Sequence, residues 1–222
     1  MNEELPKLSG PIFGPRSTNH AKSIVLLLHG YGSNGDDLIG LAPVFSEQLS
    51  ETIFLSPNAP FKCEANPSGG FQWFDVWETD HDKRIYALRF AEEIINNFID
   101  FQLEKLGLDD SKLVFLGFSQ GTMLSMQTAL RRKKKCAGIL GYSGRLEFPD
   151  RLPDEIQSRP LVTLIHGEDD PLLAIDLMNE AETVLLKNGV SVNSFRRPGL
   201  GHGIDMEGIK IGMEFLSKRL NN

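Results

Sequence analysis

The chain has 222 residues, of which 41% are hydrophobic, and a formal net charge of −7. This length suits one domain with a sizeable buried core. The acidic balance argues against nucleic acid as a partner, because neutralising phosphates requires a basic field. Two cysteines without a Cys-x-x-Cys spacing indicate neither a disulfide framework nor a zinc site, and they fit a reducing compartment.

The N-terminus reads Met-Asn-Glu-Glu, which is acidic where a signal peptide would be basic. No apolar run is long enough to span a membrane. We therefore expect a cytoplasmic protein with no integral membrane segment.

Apolar runs alternate with helical periods along the chain. Most of the runs are continuous, as in parallel strands that are buried on both faces. The pattern predicts one α/β domain, residues 1–222, with a mostly parallel central sheet and helices on both faces. Residues 1–19 are expected to form a loosely held hairpin or tail. The predicted strands are Ser23–Leu28, Thr52–Leu55, Lys112–Leu116, Ala137–Leu140, Leu161–Ile165 and Val190–Phe195, and the predicted helices are Asp37–Leu49, Tyr86–Leu106, Gln120–Arg132, Leu173–Lys187 and Ile204–Leu220.

Three glycines, Gly30, Gly32 and Gly35, follow the first predicted strand with the spacing of a dinucleotide-binding turn. Such a turn requires an acidic side chain at the end of the second strand, but Thr52–Leu55 runs into Ser-Pro-Asn. Two aspartates after the last glycine would also repel a pyrophosphate. The loop is therefore either a tight chain reversal or a turn that presents a backbone N–H to an oxyanion.

The sequence Gly-Phe-Ser-Gln-Gly at residues 117–121 connects a predicted strand to a predicted helix. A serine between spaced glycines in a strand–turn–helix context is typical of the nucleophile elbow of serine hydrolases. Ser119 is therefore the candidate nucleophile. Ser143, in Gly-Tyr-Ser-Gly-Arg, lacks the second spaced glycine and a following helix, so we interpret it as a loop serine.

A serine elbow requires an acid and then a histidine later in the chain, each after a strand. His202 alone among the five histidines follows an acidic loop and lies in a glycine-flanked loop, so it is the predicted base. His29 and His166 end strands, and we expect backbone groups to satisfy them. Asp169 and Asp170 are adjacent candidates for the acid and Glu168 precedes them, so spacing alone does not distinguish these residues. The pattern predicts no metal and no cofactor.

With these residues the chain resembles the phospholipase/carboxylesterase family of α/β-hydrolases, which includes acyl-protein thioesterases and small bacterial carboxylesterases. The resemblance covers about residues 22–216. It rests on a specific set of motifs in the right order: LLLHGYGSNGDDL, LSPNAP, QWFD, GFSQG, HGEDDPL and GLGHG. It implies an α/β-hydrolase fold that cleaves carboxylic esters through an acyl-enzyme intermediate. Leu173-Ala174 stands where relatives often have Val-Pro, which affects only the local pocket shape.

The resemblance also assigns roles to individual residues. It favours Asp170 over Asp169 as the acid of the triad. The main-chain N–H groups of Tyr31 and Gln120 would form the oxyanion hole.

The segment between Ser143 and Pro160 leaves too little room for a separate cap domain, so the site is expected to accept varied esters.

The acyl pocket is predicted from apolar side chains in the loops around the candidate triad. The aromatic side chains among them could equally fill the hydrophobic core. The expected substrates are short- to medium-chain acyl esters, with lysophospholipids and acylated proteins as further candidates. A non-catalytic binding module and a serine peptidase are the alternatives. Such a module would be expected to lose a triad member, and a peptidase usually has a cap or propeller domain for which this sequence has no room. We expect a monomer or a homodimer. The candidate substrate-binding residues are Phe71, Trp73, Trp77, Leu172, Leu173 and Leu200.

Overall fold

The structure is a computed structural model that describes residues 5–64, 66 and 69–221. Within these residues the strands are β1 (Ile12–Phe13), β2 (Ser23–Leu28), β3 (Thr52–Leu55), β4 (Phe61–Lys62), β5 (Phe71–Gln72), β6 (Leu113–Phe118), β7 (Gly138–Tyr142), β8 (Val162–Gly167) and β9 (Val192–Arg197). The α-helices are α1 (Gly35–Leu38), α2 (Ala42–Phe45), α3 (His81–Leu106), α4 (Gln120–Arg131), α5 (Leu152–Glu155), α6 (Ile175–Lys187) and α7 (Met206–Leu220).

Seven strands form one sheet in the order β1-β3-β2-β6-β7-β8-β9. Neighbouring strands from β3 to β9 in this order are parallel, whereas β1 pairs antiparallel with β3. Strands β4 and β5 form a separate antiparallel pair. The mostly parallel sheet confirms the predicted fold class. The segment before Asn19, predicted as a hairpin or tail, contributes the edge strand β1.

Both faces of the sheet are buried, which explains the continuous apolar runs. In β2, Ile24, Leu26 and Leu28 pack into the core cluster that also holds apolar residues of α3, α4 and α6. Val25 and Leu27 pack into the opposite cluster with residues of α1, α2 and α7. The predicted placement of helices on both faces is therefore confirmed.

The predicted helix over Asp37–Leu49 is wrong as a single element. The structure divides this region into α1, a 3₁₀ turn at Ile39–Leu41, and α2. Pro43 lies in the first turn of α2, and its ring nitrogen cannot donate to the preceding turn, so a continuous α-helix is interrupted there.

Helix α3 begins five residues earlier than predicted, at His81 rather than Tyr86. The carboxylate of Asp80 accepts hydrogen bonds from the main-chain N–H groups of Asp82 and Lys83 at 3.0 and 3.1 Å, which caps the helix. Gly107 ends it with a left-handed φ of 65°, as the sequence predicts.

No large cap covers the carboxyl edge of the sheet within the described residues. Residues 143–161, between β7 and β8, contain only a 3₁₀ turn and the short helix α5. Among the helices of the described ranges, none combines the length and apolarity needed to cross a membrane.

Candidate active site

The predicted triad residues converge at the carboxyl edge of the parallel sheet, where open α/β sheets bind ligands. Ser119 follows β6, Asp170 follows β8, and His202 follows β9. Ser119 and His202 line one cavity of about 350 Å³, together with Tyr31 and Gln120. Strands that are distant in sequence thus bring the candidate groups to one place.

Ser119 occupies a strained turn between β6 and α4. Its φ of 54° and ψ of −116° lie in a region that residues with a Cβ rarely adopt. A Cβ at Gly117 would collide with the backbone of Thr122, and a Cβ at Gly121 would collide with the carbonyl oxygen of Leu28. Both glycines of the motif are therefore required for the turn to pack against the sheet.

The carboxylate of Asp170 is held from two sides. Its Oδ1 accepts hydrogen bonds from the main-chain N–H groups of Leu172 and Leu173, both at 2.9 Å. Its Oδ2 lies 2.7 Å from Nδ1 of His202. Burial acts to raise the pKa of Asp170, but the hydrogen bonds from Leu173, His202 and Leu172 outweigh burial and lower the pKa below its ordinary value. Asp169 is exposed, and within the described residues its carboxylate has no hydrogen bond or ion pair of this kind.

His29 and His166 are buried, and both hydrogen-bond to the backbone as predicted. Nε2 of His29 accepts from the N–H of Ala59 at 3.0 Å, so Nδ1 carries the proton and donates to the carbonyl of the next residue. Burial lowers the pKa of His29 and outweighs the opposing effect of that carbonyl.

His166 also supports the candidate acid, which the sequence analysis did not anticipate. Its Nε2 lies 2.8 Å from the carbonyl oxygen of Leu173 and 3.2 Å from Oδ2 of Asp170. The i,i+4 spacing of His166 and Asp170 across the end of β8 is the only signal in the sequence for this contact. The ring therefore fixes the loop that carries the carboxylate.

The two predicted oxyanion-hole amides border the cavity through Tyr31 and Gln120. No hydrogen bond within the described part of the chain uses either main-chain N–H. Gln120 is the first residue of α4, so its N–H has no partner within the helix and lies at the positive end of the helix dipole. Its side chain accepts from the N–H of Trp73 at 3.0 Å and donates to the carbonyl of Phe74 at 2.7 Å, which anchors the helix start.

Three of the predicted substrate-binding residues line the cavity, namely Trp77, Leu172 and Leu173. Trp77 and Leu172 are 72% and 71% exposed, so they lie at the mouth. Val76 and Met123 add apolar surface that the sequence analysis missed. Met123 stands four residues after Ser119, one helical turn along α4, and this spacing is the signal that could have identified it.

The other three candidates lie outside the lining of the cavity. Trp73 as a substrate contact is wrong, because the side chain is fully buried and its Nε1 donates to the carbonyl of His29 at 2.9 Å. Phe71 packs against the core, and its backbone pairs with the loop at Gly32 and Ser33. The carbonyl of Leu200 accepts from the N–H of Asp169 at 3.0 Å, which joins the acid and histidine loops.

Comparisons with known proteins extend over nearly the whole chain. A family model described as phospholipase/carboxylesterase matches residues 15–220. Acyl-protein thioesterase 1 of Kluyveromyces lactis is 28% identical over 217 residues, covering 90% of this chain and 93% of that protein. Carboxylesterase SOBER1 of Arabidopsis thaliana is 27% identical over 215 residues, covering 90% and 92%. The crystal structure of esterase PE8 is 35% identical with a TM-score of 0.90, covering 96% of this chain and 100% of that chain.

Proposed function

Since the chain belongs to the phospholipase/carboxylesterase family of α/β-hydrolases, we propose that Ser119, His202 and Asp170 are the catalytic triad with which it cleaves esters. Membership makes the chain a serine hydrolase of carboxylic esters. The observation that carries the assignment of the triad is the 2.7 Å hydrogen bond between His202 Nδ1 and the buried carboxylate of Asp170. Ser119, on its strained elbow, borders the same cavity as His202.

In the proposed mechanism, the neutral Nε2 of His202 takes the proton of Ser119 as Oγ attacks the ester carbonyl. Asp170 accepts from Nδ1–H, which selects the reactive tautomer and stabilises the imidazolium ion. The main-chain N–H groups of Tyr31 and Gln120 donate to the developing oxyanion, and each such donor contributes about 3 kcal/mol.

The tetrahedral intermediate then collapses. The imidazolium ion returns its proton to the leaving alcohol, and the acyl group remains on the serine oxygen. Water, deprotonated by the same imidazole, attacks the acyl-enzyme and releases the carboxylic acid. One ester and one water thus give one acid and one alcohol, with the serine regenerated.

A fluorophosphonate probe is expected to label the native protein at Ser119. The hydroxyl group lies at the start of α4 and borders the same cavity as His202, where it should be nucleophilic. Labelling is measured by intact mass and by peptide mapping, and Ser119→Ala should abolish it.

Ser143→Gly is the matched control for this experiment. Ser143 is buried and adopts a positive φ of 46°, which glycine tolerates, so this variant should keep the fold and the label on Ser119. A label on any other residue, or none on the folded protein, would contradict the proposal and favour a non-catalytic module.

For the substrate, we propose short- to medium-chain acyl esters, with acyl thioesters as the second candidate. The cavity supports the first part, because Trp77, Leu172 and Leu173 give it apolar walls at the mouth. The second part is supported by the relatives named acyl-protein thioesterase. A panel of matched oxygen esters and thioesters of equal acyl length measures which class has the higher kcat/KM.

Activity is expected to rise and then fall with acyl chain length. Each methylene buried against the apolar wall contributes up to about 0.8 kcal/mol, or about fourfold in kcat/KM, until the cavity is filled. Trp77→Ala should flatten the rise for longer chains and affect acetyl esters little, because the indole borders the mouth of the cavity. The kcat/KM values of a homologous series of p-nitrophenyl esters test this.

Tyr86→Ala provides the comparison for the chain-length series. Tyr86 is 73% exposed and does not line the cavity, so this variant should keep the profile of the parent. A flat profile in the parent, or an equal loss on all esters in Trp77→Ala, would show that acyl chains bind elsewhere.

A further inference from the structure

An arginine borders the candidate active-site cavity. The charged side chains that line this cavity are Arg145 and Asp37, apart from the imidazole of His202. Asp37 is exposed and accepts a hydrogen bond from the hydroxyl of Ser33 at 2.7 Å. The side chain of Arg145 is 27% exposed, and among the described lining residues it is the cation that a substrate in the cavity would meet.

A tight turn delivers Arg145 to this position. Ser143 leaves β7 with a positive φ of 46°, and its N–H donates to the carbonyl of Ile165 at 2.9 Å. A Cβ at Gly144 would collide with the side chain of Thr122 and would lie 3.1 Å from the carbonyl oxygen of Ser119. The chain therefore runs directly against the nucleophile elbow, and the next side chain enters the site.

A buried carboxylate fixes the guanidinium from behind. The side chain of Glu147 is 3% exposed, and its Oε1 accepts from Nε of Arg145 at 2.6 Å. Its Oε2 accepts from Arg84 at 2.6 Å. Two guanidinium ions thus share one carboxylate, and the cluster keeps a net charge of about +1 when all three groups are ionised.

The bond through Nε leaves the Nη end of the Arg145 guanidinium for a ligand. Within the described residues, Arg145 has no hydrogen bond or ion pair besides the one to Glu147. The two Nη groups form a planar fork that matches the two oxygens of a carboxylate or a phosphate. A fixed fork also loses little side-chain entropy on binding.

We propose that Arg145 is a specificity-determining residue that binds an anionic group, a carboxylate or a phosphate, on the ester substrate. The proposal rests on the proposed function, because it requires the ester carbonyl at Ser119. The protein carries a net charge of −7, which repels anions in general. A preference for an anionic ester would therefore require a local cation such as this one.

The test compares pairs of esters that differ in charge. One pair is the mono-p-nitrophenyl ester of glutaric acid and the neutral compound in which its free carboxylate is a methyl ester, compared by release of p-nitrophenol. The other pair is the butyrate ester of glycerol phosphate and the butyrate ester of glycerol. The ratio of kcat/KM within each pair should exceed one for at least one pair, and the pair that shows it identifies the carboxylate or the phosphate as the recognised group.

Arg145→Gln should lower that ratio roughly 10- to 100-fold, the range for a lost charge-assisted hydrogen bond. Most of the loss should appear in KM, because an anion remote from the carbonyl is bound equally in the ground state and the transition state. Added salt should weaken the preference of the parent protein in the same direction.

Arg84→Gln is the matched control. It lowers the charge of the cluster by the same amount, but Arg84 does not line the cavity, so the ratio should fall much less than in Arg145→Gln. Equal kcat/KM for anionic and neutral esters in the parent, or an equal fall in both variants, would overturn the assignment of Arg145. If either result is obtained while the parent protein still hydrolyses neutral esters, and Ser119→Ala abolishes that hydrolysis, the proposed function remains supported. A folded protein that hydrolyses none of the esters would overturn both.

Discussion

Replacing Asp170 with asparagine is expected to lower kcat about 10⁴-fold. The amide keeps one acceptor for the N–H groups of Leu172 and Leu173, which Oδ1 of the carboxylate binds at 2.9 Å. Its NH₂ group would face Nδ1 of His202, where Oδ2 now accepts at 2.7 Å. An amide donor stabilises the tautomer that carries its proton on Nε2, and that tautomer cannot accept the proton of Ser119.

Asp169→Asn is the matched control for this substitution. Asp169 is exposed, and the bond that holds its position uses the main-chain N–H, so the amide should leave kcat close to that of the parent. Both variants are compared by steady-state kinetics after circular dichroism has shown that they are folded. An equal or larger loss in Asp169→Asn would contradict the assignment of Asp170.

The sequence predicted the parts of the fold that depend on local pattern. β2 and β3 have the predicted bounds, because their apolar residues are buried on both faces of the sheet. The elbow at Ser119 was predictable for a similar reason. The glycines that the strained turn requires lie within five consecutive residues, so one short motif is enough to predict the turn.

Features that depend on the approach of distant segments were not predictable. Asp169 and Asp170 are neighbours in the chain, and only the path of the loop after β8 decides which carboxylate meets His202. Trp73 and Trp77 belong to one irregular segment, yet the first is fully buried and the second is 72% exposed. Both are tryptophans in the same segment, so residue type cannot distinguish their exposure. The structure distinguishes them by a long-range contact, the hydrogen bond from the Trp73 indole to the carbonyl of His29 at the end of β2.

The binding role proposed for Arg145 was also not predictable from the sequence. In the sequence it follows a serine without the features of a nucleophile, and nothing local indicates a binding role. The role follows from the packing of Gly144 against the elbow and from the buried carboxylate of Glu147. The first contact joins the loop after β7 to the elbow. Glu147 lies two residues after Arg145 in the same loop, and its bond to Arg84 joins that loop to α3.

Gly121→Ala is expected to destabilise the protein by about 3 kcal/mol, the upper part of the range for overpacking a core. The new Cβ would collide with the carbonyl oxygens of Leu28 and His29. Strand β2 is hydrogen-bonded to a neighbour on each side, so it cannot shift without disrupting the sheet. The helix start would shift instead. Ser119 lies two residues away, so a displacement of about 1 Å should also lower kcat about 100-fold. Urea unfolding and steady-state kinetics measure the two effects.

Gly40→Ala separates this collision from a general effect of replacing glycine. Gly40 is exposed, and a Cβ built there meets nothing within 4 Å. Its φ is not positive, so alanine should stabilise the protein by about 0.4–1 kcal/mol through a less disordered unfolded chain. A Gly121→Ala protein with the stability and kcat of the parent would show that the elbow does not need close contact with β2, and the account of how the strained serine is held would fail.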